Sequence, residues 1–241
     1  MRTIWIITKR ELGSFFDSLI AYVIIILFLG FSGFFTWISG SDIFMTGQAS
    51  LQSFFSIAYW TLFFFIPALT MRLIAEEKKT GTIEMLLTKA VTDRQVILGK
   101  YFAALILITI ALFFTLPWVI TISKLGNIDS GGVICGYIAL ILMSAAYTSI
   151  GIFASSITNN QIVAFLSALF IGLFFHFIFA LIASDMTGFF GKVINYLSVS
   201  NHFESLARGV VDSKDLVYFG LIIFMGLFLT EVSLSKRNAF N

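Results

Sequence analysis

The sequence predicts an all-α integral membrane protein: six transmembrane helices preceded by an N-terminal interfacial amphipathic helix. Three observations carry this. Hydrophobic residues fill 59% of the 241 positions and charged residues only 12%, roughly half the charged share of a soluble domain. The charges leave long gaps: 24 uncharged residues between Asp17 and Asp42, 29 between Asp42 and Arg72, 23 between Lys100 and Lys124, 55 between Asp129 and Asp185, and 20 between Asp215 and Lys236, broken only by Glu231. About 20 apolar residues cross the hydrocarbon core, so the gaps read as one, one, one, two and one spans. Finally, the runs do not alternate apolar with polar residues, which sets aside a β-barrel.

Taken in order, residues 2–17 read as a surface helix, part of an interfacial unit over 1–18. At 100° per residue Ile4, Trp5, Leu12, Phe15 and Phe16 share one side, with Arg10, Glu11 and Ser14 opposite; Ile6 and Ile7 fall off the pattern. A helix of this kind lies in the membrane interface. The remainder, 19–241, forms the spanning unit, with spans near Leu19–Ser39, Phe54–Leu73, Val96–Ile122, Gly132–Ile157, Ile162–Ala183 and Leu216–Leu234. The first run lacks a small-x-small cleavage site after it and reads as a retained span.

Between the second and third spans lies an ordered polar elbow, 74–95. Gly81 is placed to end the incoming helix in the left-handed conformation, and Thr82 to cap a short new one. In that helix Ile83, Leu86 and Leu87 form one apolar stripe with Glu84 beside it. Thr92-Asp93-Arg94-Gln95 then matches a capping box, with Val91 and Val96 as its staple. Pro67 and Pro117 fall inside the second and third spans and predict kinks.

The fourth span carries small residues four apart: Gly132 and Gly136, Ala145 and Ser149, Gly151 and Ser155. Such pairs let helices approach closely, either within the bundle or between subunits. Thr158-Asn159-Asn160-Gln161 turns the chain into the fifth span. The segment 184–215 is too rich in apolar residues for a plain loop and reads as short helices dipping back into the outer leaflet.

Lys and Arg divide eleven against four between the two sides, with Lys124, Lys192, Arg208 and Lys214 in the minority. By the positive-inside rule both termini are cytoplasmic. The net charge of +2 reflects this asymmetry and does not point to nucleic acid. Cys135 stands alone, so there is no disulfide framework. No phosphate-binding Gly-x-x-x-x-Gly-Lys-Ser/Thr run occurs, and no His or Cys cluster spaced for a metal. His176 is the one ionisable group near the middle of a span. It reads either as a helix–helix hydrogen bond or, in a secondary transporter, as a coupling group. Without further intramembrane charge, energy for any transport would enter through the elbow.

Three stretches resemble the permease subunits of ABC-2 type transporters. They are Thr8-Lys9-Arg10-Glu11-Leu12, the elbow Ala75–Thr88 with its Glu77, Gly81, Thr82, Glu84, Leu86 and Leu87 followed by Leu98-Gly99-Lys100, and Asn201-His202-Phe203-Glu204 through Arg208-Gly209-Val210-Val211-Asp212 with Asp215 and Tyr218. Lys89-Ala90 departs from a family pattern that often has Pro there, which leaves the turn after the coupling helix less rigidly defined. Within the family the chain is similar to gliding-motility-associated permeases of Bacteroidetes and to permeases of nitrous oxide reductase maturation.

The resemblance implies a permease of the bacterial inner membrane, not itself an enzyme. It would bind no cofactor, since ATP and Mg are used by a cytosolic ABC ATPase dimer. Residues 83–88 would be the coupling helix, Ile83, Leu86 and Leu87 filling an ATPase groove while Glu77 and Glu84 meet basic or backbone groups. Asn201, His202, Phe203, Gly209 and Asp212 would belong to an outer re-entrant gate. A second permease, identical or different, would complete the path, in the gliding case one with a large periplasmic domain. Two roles stay open: export of an envelope component, or a non-transporting anchor that passes ATPase-driven force to periplasmic partners.

Overall fold

The computed structural model describes residues 2–38, 47, 49–82, 91–186 and 188–238. Among them helices are the regular structure, and six segments are long and apolar enough to span a membrane: Ile20–Trp37, Gln52–Thr80, Asp93–Leu125, Ser130–Ser156, Gln161–Asp185 and Ser213–Ser235. Each coincides with a span that the charge gaps predict.

Helix α1 (Arg2–Asp17) meets α2 (Ile20–Trp37) at Leu19, which turns the chain in the left-handed region at φ 62°. The second span is α3 (Gln52–Thr70), a tightened turn in which Leu73 N–H reaches back to Thr70 O, and α4 (Ala75–Thr80). Pro67 lies inside α3, one turn before this break, and cannot donate to the helix ladder.

The third span starts at the predicted box. Thr92 accepts from Gln95 N–H while the Gln95 side chain accepts from Thr92 N–H. It runs as α5 (Asp93–Phe113), breaks at Phe114–Thr115 and resumes as α6 (Leu116–Leu125). Pro117 sits in the first turn of α6, where its missing N–H costs nothing.

The fourth span, α7 (Ser130–Ser156), is the central post. Of its most apolar stretch 72% is buried, against 22% for the first, fifth and sixth spans. Its small residues take partners within this chain: Gly136 meets the ring of Phe55, Gly151 meets Thr70, and Ser149 meets Gly226. These positions therefore serve the bundle itself.

The fifth span is α8 (Gln161–Leu173), one π-helical turn over Phe174–Ile178, and α9 (Phe179–Asp185). Two short helices follow, α10 (Phe189–Tyr196) and α11 (Val199–Ala207), and then the last span, α12 (Ser213–Asn238). Helix α11 packs on α7, α12 and the π turn, with Ala207 and Gly209 against Gly132 at the start of α7. It thus closes the end of the bundle opposite the elbow.

The face of α1 differs from the one expected. Ile7, Thr8 and Phe15 are buried and Glu11 is largely so, while Trp5 and Ile6 are exposed. The helix is turned so that Glu11 faces a buried cation on α5, and Ile7, off the simple pattern, packs on Gly99. A Cβ on Gly99 would lie 2.5 Å from an Ile7 methyl, so only glycine permits this approach.

Candidate functional site

The elbow helix α4 has six residues, too few to be stable alone, and is held by residues far away in sequence. Its first N–H groups, which no helix can satisfy internally, are met by one hydroxyl: Ser155 Oγ of α7 accepts from Ile74 N (3.1 Å) and Ala75 N (3.0 Å) and donates to Met71 O (2.9 Å). Lys78 donates from Nζ to Ser156 O at the end of α7, and Ser233 of α12 donates to the same carbonyl at 3.2 Å. Glu76 and Glu77 occupy the first turn and Lys78 and Lys79 the last, each sign where the helix dipole favours it. Gly81 ends the helix at φ 70°, as the sequence predicts.

At the centre stands Lys100, 1% exposed, with Glu77 Oε1 at 2.7 Å and Glu11 Oε2 at 3.3 Å. Arg10 adds a contact to Glu11 Oε1 at 2.6 Å. A lysine this deep persists only because its charge is paired. Burial by itself would raise the Glu11 pKa; Lys100 and Arg10 outweigh burial and hold the carboxyl below its ordinary range. Thr8 Oγ1 donates to Gly99 O at 3.1 Å, one residue from the lysine. One ammonium thereby joins α1, α4 and α5. A cleft of about 700 Å³ opens beside it, lined by Arg10, Glu11, Arg72, Glu76, Glu77 and Lys100 among others. Glu77 Oε2 is buried there without a hydrogen-bond partner among the described residues.

The opposite end is built differently. His202 Nδ1 lies 2.6 Å from Asp215 Oδ1, and His202 Nε2 lies 2.9 Å from Tyr196 O. The imidazole stacks on Tyr218 at 3.9 Å, and the Tyr218 hydroxyl donates to Leu197 O. Asn201 donates to Asn195 O and Oδ1, Gly209 turns at φ 91°, and Asp212 pairs with Lys214 at 2.9 Å. That pairing holds the Asp212 carboxyl below its ordinary range. Phe203 reaches Tyr59 of α3 at 4.6 Å between ring centres.

Beneath α11 lies a cavity of about 620 Å³ with an aromatic floor of Tyr59, Trp60, Phe177 and Phe203 and a polar rim that includes Glu204 and Arg208. His176, at the π turn, lines it. Its ring is stacked between Tyr59 and Phe63, and its Nδ1 is 2.8 Å from Tyr147 Oη. The helix–helix hydrogen bond expected at this position is therefore present.

Of the elbow residues singled out from sequence, Glu77, Gly81 and Thr82 are described; Ile83, Glu84, Leu86 and Leu87 lie outside the described residues. Glu77 turns one oxygen inward to Lys100. Asn201, His202, Phe203, Gly209 and Asp212 gather at the opposite end. Sequence reasoning missed Glu11, Ser155 and the role of Lys100, and it did not pair His202 with Asp215. The faint signal for Lys100 was a cation at the start of a long apolar run, eight residues after the Thr92 cap.

A family model described as ABC-2 family transporter protein matches residues 37–230. Comparison with curated proteins finds no match. With a match over most of its length and six candidate spans, the chain belongs to the ABC-2 transporter family, whose members are membrane permease subunits partnered by an ABC ATPase.

Proposed function

We propose that this chain is one half of the membrane path of an ATP-driven exporter, with a cytosolic ATPase dimer seated on the elbow and a second permease, identical or different, beside it. The observation that carries the reading is Lys100 buried between Glu77 and Glu11. A push on α4 cannot stay local, because the same cation holds the interfacial helix and the third span, while Ser155 and Lys78 hold the fourth. Residues 83–88, which come after Gly81 and Thr82 in the sequence, would act as the coupling segment.

At the far end α10 and α11 form a re-entrant cap over the aromatic cavity. Its apolar floor and polar rim suit an amphiphilic envelope component, and it favours export over a purely force-transmitting anchor. The elbow end collects Lys9, Arg10, Arg72, Lys78, Arg94 and Lys100, which supports a cytoplasmic elbow and cytoplasmic termini in the bacterial inner membrane. Within the family we favour a role like that of the gliding-motility permeases.

Copurification in mild detergent tests the reading. An ABC ATPase should accompany the natural chain and be lost from a Glu84→Arg, Leu87→Ala variant that still inserts. Recovery of no ATPase with the natural chain would refute it. ATP turnover indifferent to added amphiphiles would return the anchor reading to the front.

A further inference from the structure

Helix α10 presents two unlike faces. Phe189, Phe190, Val193 and Tyr196 share one arc and are all exposed, Phe189 at 76% and Phe190 at 73%. The opposite arc carries Gly191, buried against the Met186 carbonyl so closely that a side chain would not fit. An exposed arc of aromatic and branched residues on a helix at the end of a spanning bundle belongs in the membrane–water interface. Lys192 lies on the flank of that arc and lines a pocket of about 510 Å³ with Ser205, Arg208, Lys214, His202 and Asp215.

The charges of this pocket do not cancel internally. Asp215 is occupied by His202 and Lys214 by Asp212. Arg208 uses its Nε on the Glu204 carbonyl at 3.3 Å. Its terminal amino groups, the Lys192 ammonium and the Ser205 hydroxyl have no hydrogen-bond partner among the described residues. The floor carries the opposite kind of vacancy: Asp215 is fully buried, and its Oδ2 lacks a donor among the described residues. Unused cationic donors call for an oxyanion with several acceptor oxygens, while a buried unpaired carboxylate oxygen calls for a donor.

We propose that this pocket holds the headgroup of a membrane phospholipid ending in a hydrogen-bond donor, as in phosphatidylethanolamine. The phosphate is met by Lys192, Arg208 and Ser205, and the terminal ammonium by Asp215 Oδ2. The acyl chains run along the exposed face of α10. The lipid thereby sits at the edge of the cap, with Arg208 shared between this pocket and the aromatic cavity.

Native mass spectrometry of the purified chain in micelles doped with phosphatidylethanolamine, phosphatidylcholine or inorganic phosphate tests this. Phosphatidylethanolamine should be retained about tenfold over phosphatidylcholine, whose nitrogen has no hydrogen to donate. Lys192→Glu with Arg208→Glu should reduce retention by about tenfold or more. Lys124→Glu, an exposed cation elsewhere at the same end, should not. Melting curves certify that all variants fold, as expected for exposed positions. Unchanged retention in the double variant overturns the site, and equal retention of the two lipids overturns the Asp215 contact. Displacement of the lipid by millimolar-scale inorganic phosphate assigns the pocket to a soluble anion and overturns the lipid.

Discussion

The two ends of this bundle are held by different physics. At the elbow, ties run between elements remote in sequence and end on charged or backbone groups: Lys100 to Glu77 and Glu11, Ser155 to the start of α4, Lys78 to Ser156, Arg94 to Glu231 at 3.3 Å. At the cap, ring stacking and one buried His–Asp pair dominate, around cavities of about 510 and 620 Å³. Ionic and hydrogen-bond ties are directional and fix positions. Aromatic contacts tolerate sliding at small cost. On the function proposed above, the first suits an end that transmits displacement and the second an end that rearranges around a cargo.

Removing the elbow tie should have the largest effect. Lys100→Met leaves two partly buried carboxylates facing each other, and breaking such a pair from one side costs about 3–5 kcal/mol. Thermal unfolding in detergent should show a large loss, and ATP turnover by the assembled complex should uncouple from transport. A melting profile like that of the natural chain would erase the distinction between the ends.

A smaller loss is expected at the cap. His202→Phe keeps a ring stacked on Tyr218 but strips the buried Asp215 of its partner, costing about 2 kcal/mol. Adding Asp215→Asn should recover part of it, because the uncompensated charge is gone. No recovery in the double variant would mean that ring packing, and not the pair, holds α11 to α12.

Mild acid should have the smallest effect and sharpen the comparison. Glu11 ionises more readily folded than unfolded, so its contribution is complete above its ordinary value of 4.5 and fades as pH falls through the lower folded value. Melting followed downward from neutral pH should decline more steeply below that point in the natural chain than in Glu11→Gln. Parallel declines would show that Glu11 is not part of the tie.

Local signals were legible in the sequence. Six spans follow from the cost of placing charge in hydrocarbon, a property of composition along the chain. Gly81 and the Thr92–Gln95 box act through neighbours three or four residues away, and both stand as predicted. The small residues of the fourth span announced close packing, but not whether their partners were internal. Only the fold answered that, by bringing Phe55, Thr70 and Gly226 to them.

What tertiary structure alone decided is which way charged side chains face. Glu11 looked like the polar side of a surface helix and is turned inward, because Lys100, 89 positions later, is carried by the third span to the same depth. His202 and Asp215 are parted by a helix end and a turn, and meet only because α11 folds back on α12. Hydrophobic burial is written residue by residue and survives as a pattern along the chain. Charge pairing depends on two residues arriving at one point, and no pattern along the chain records that.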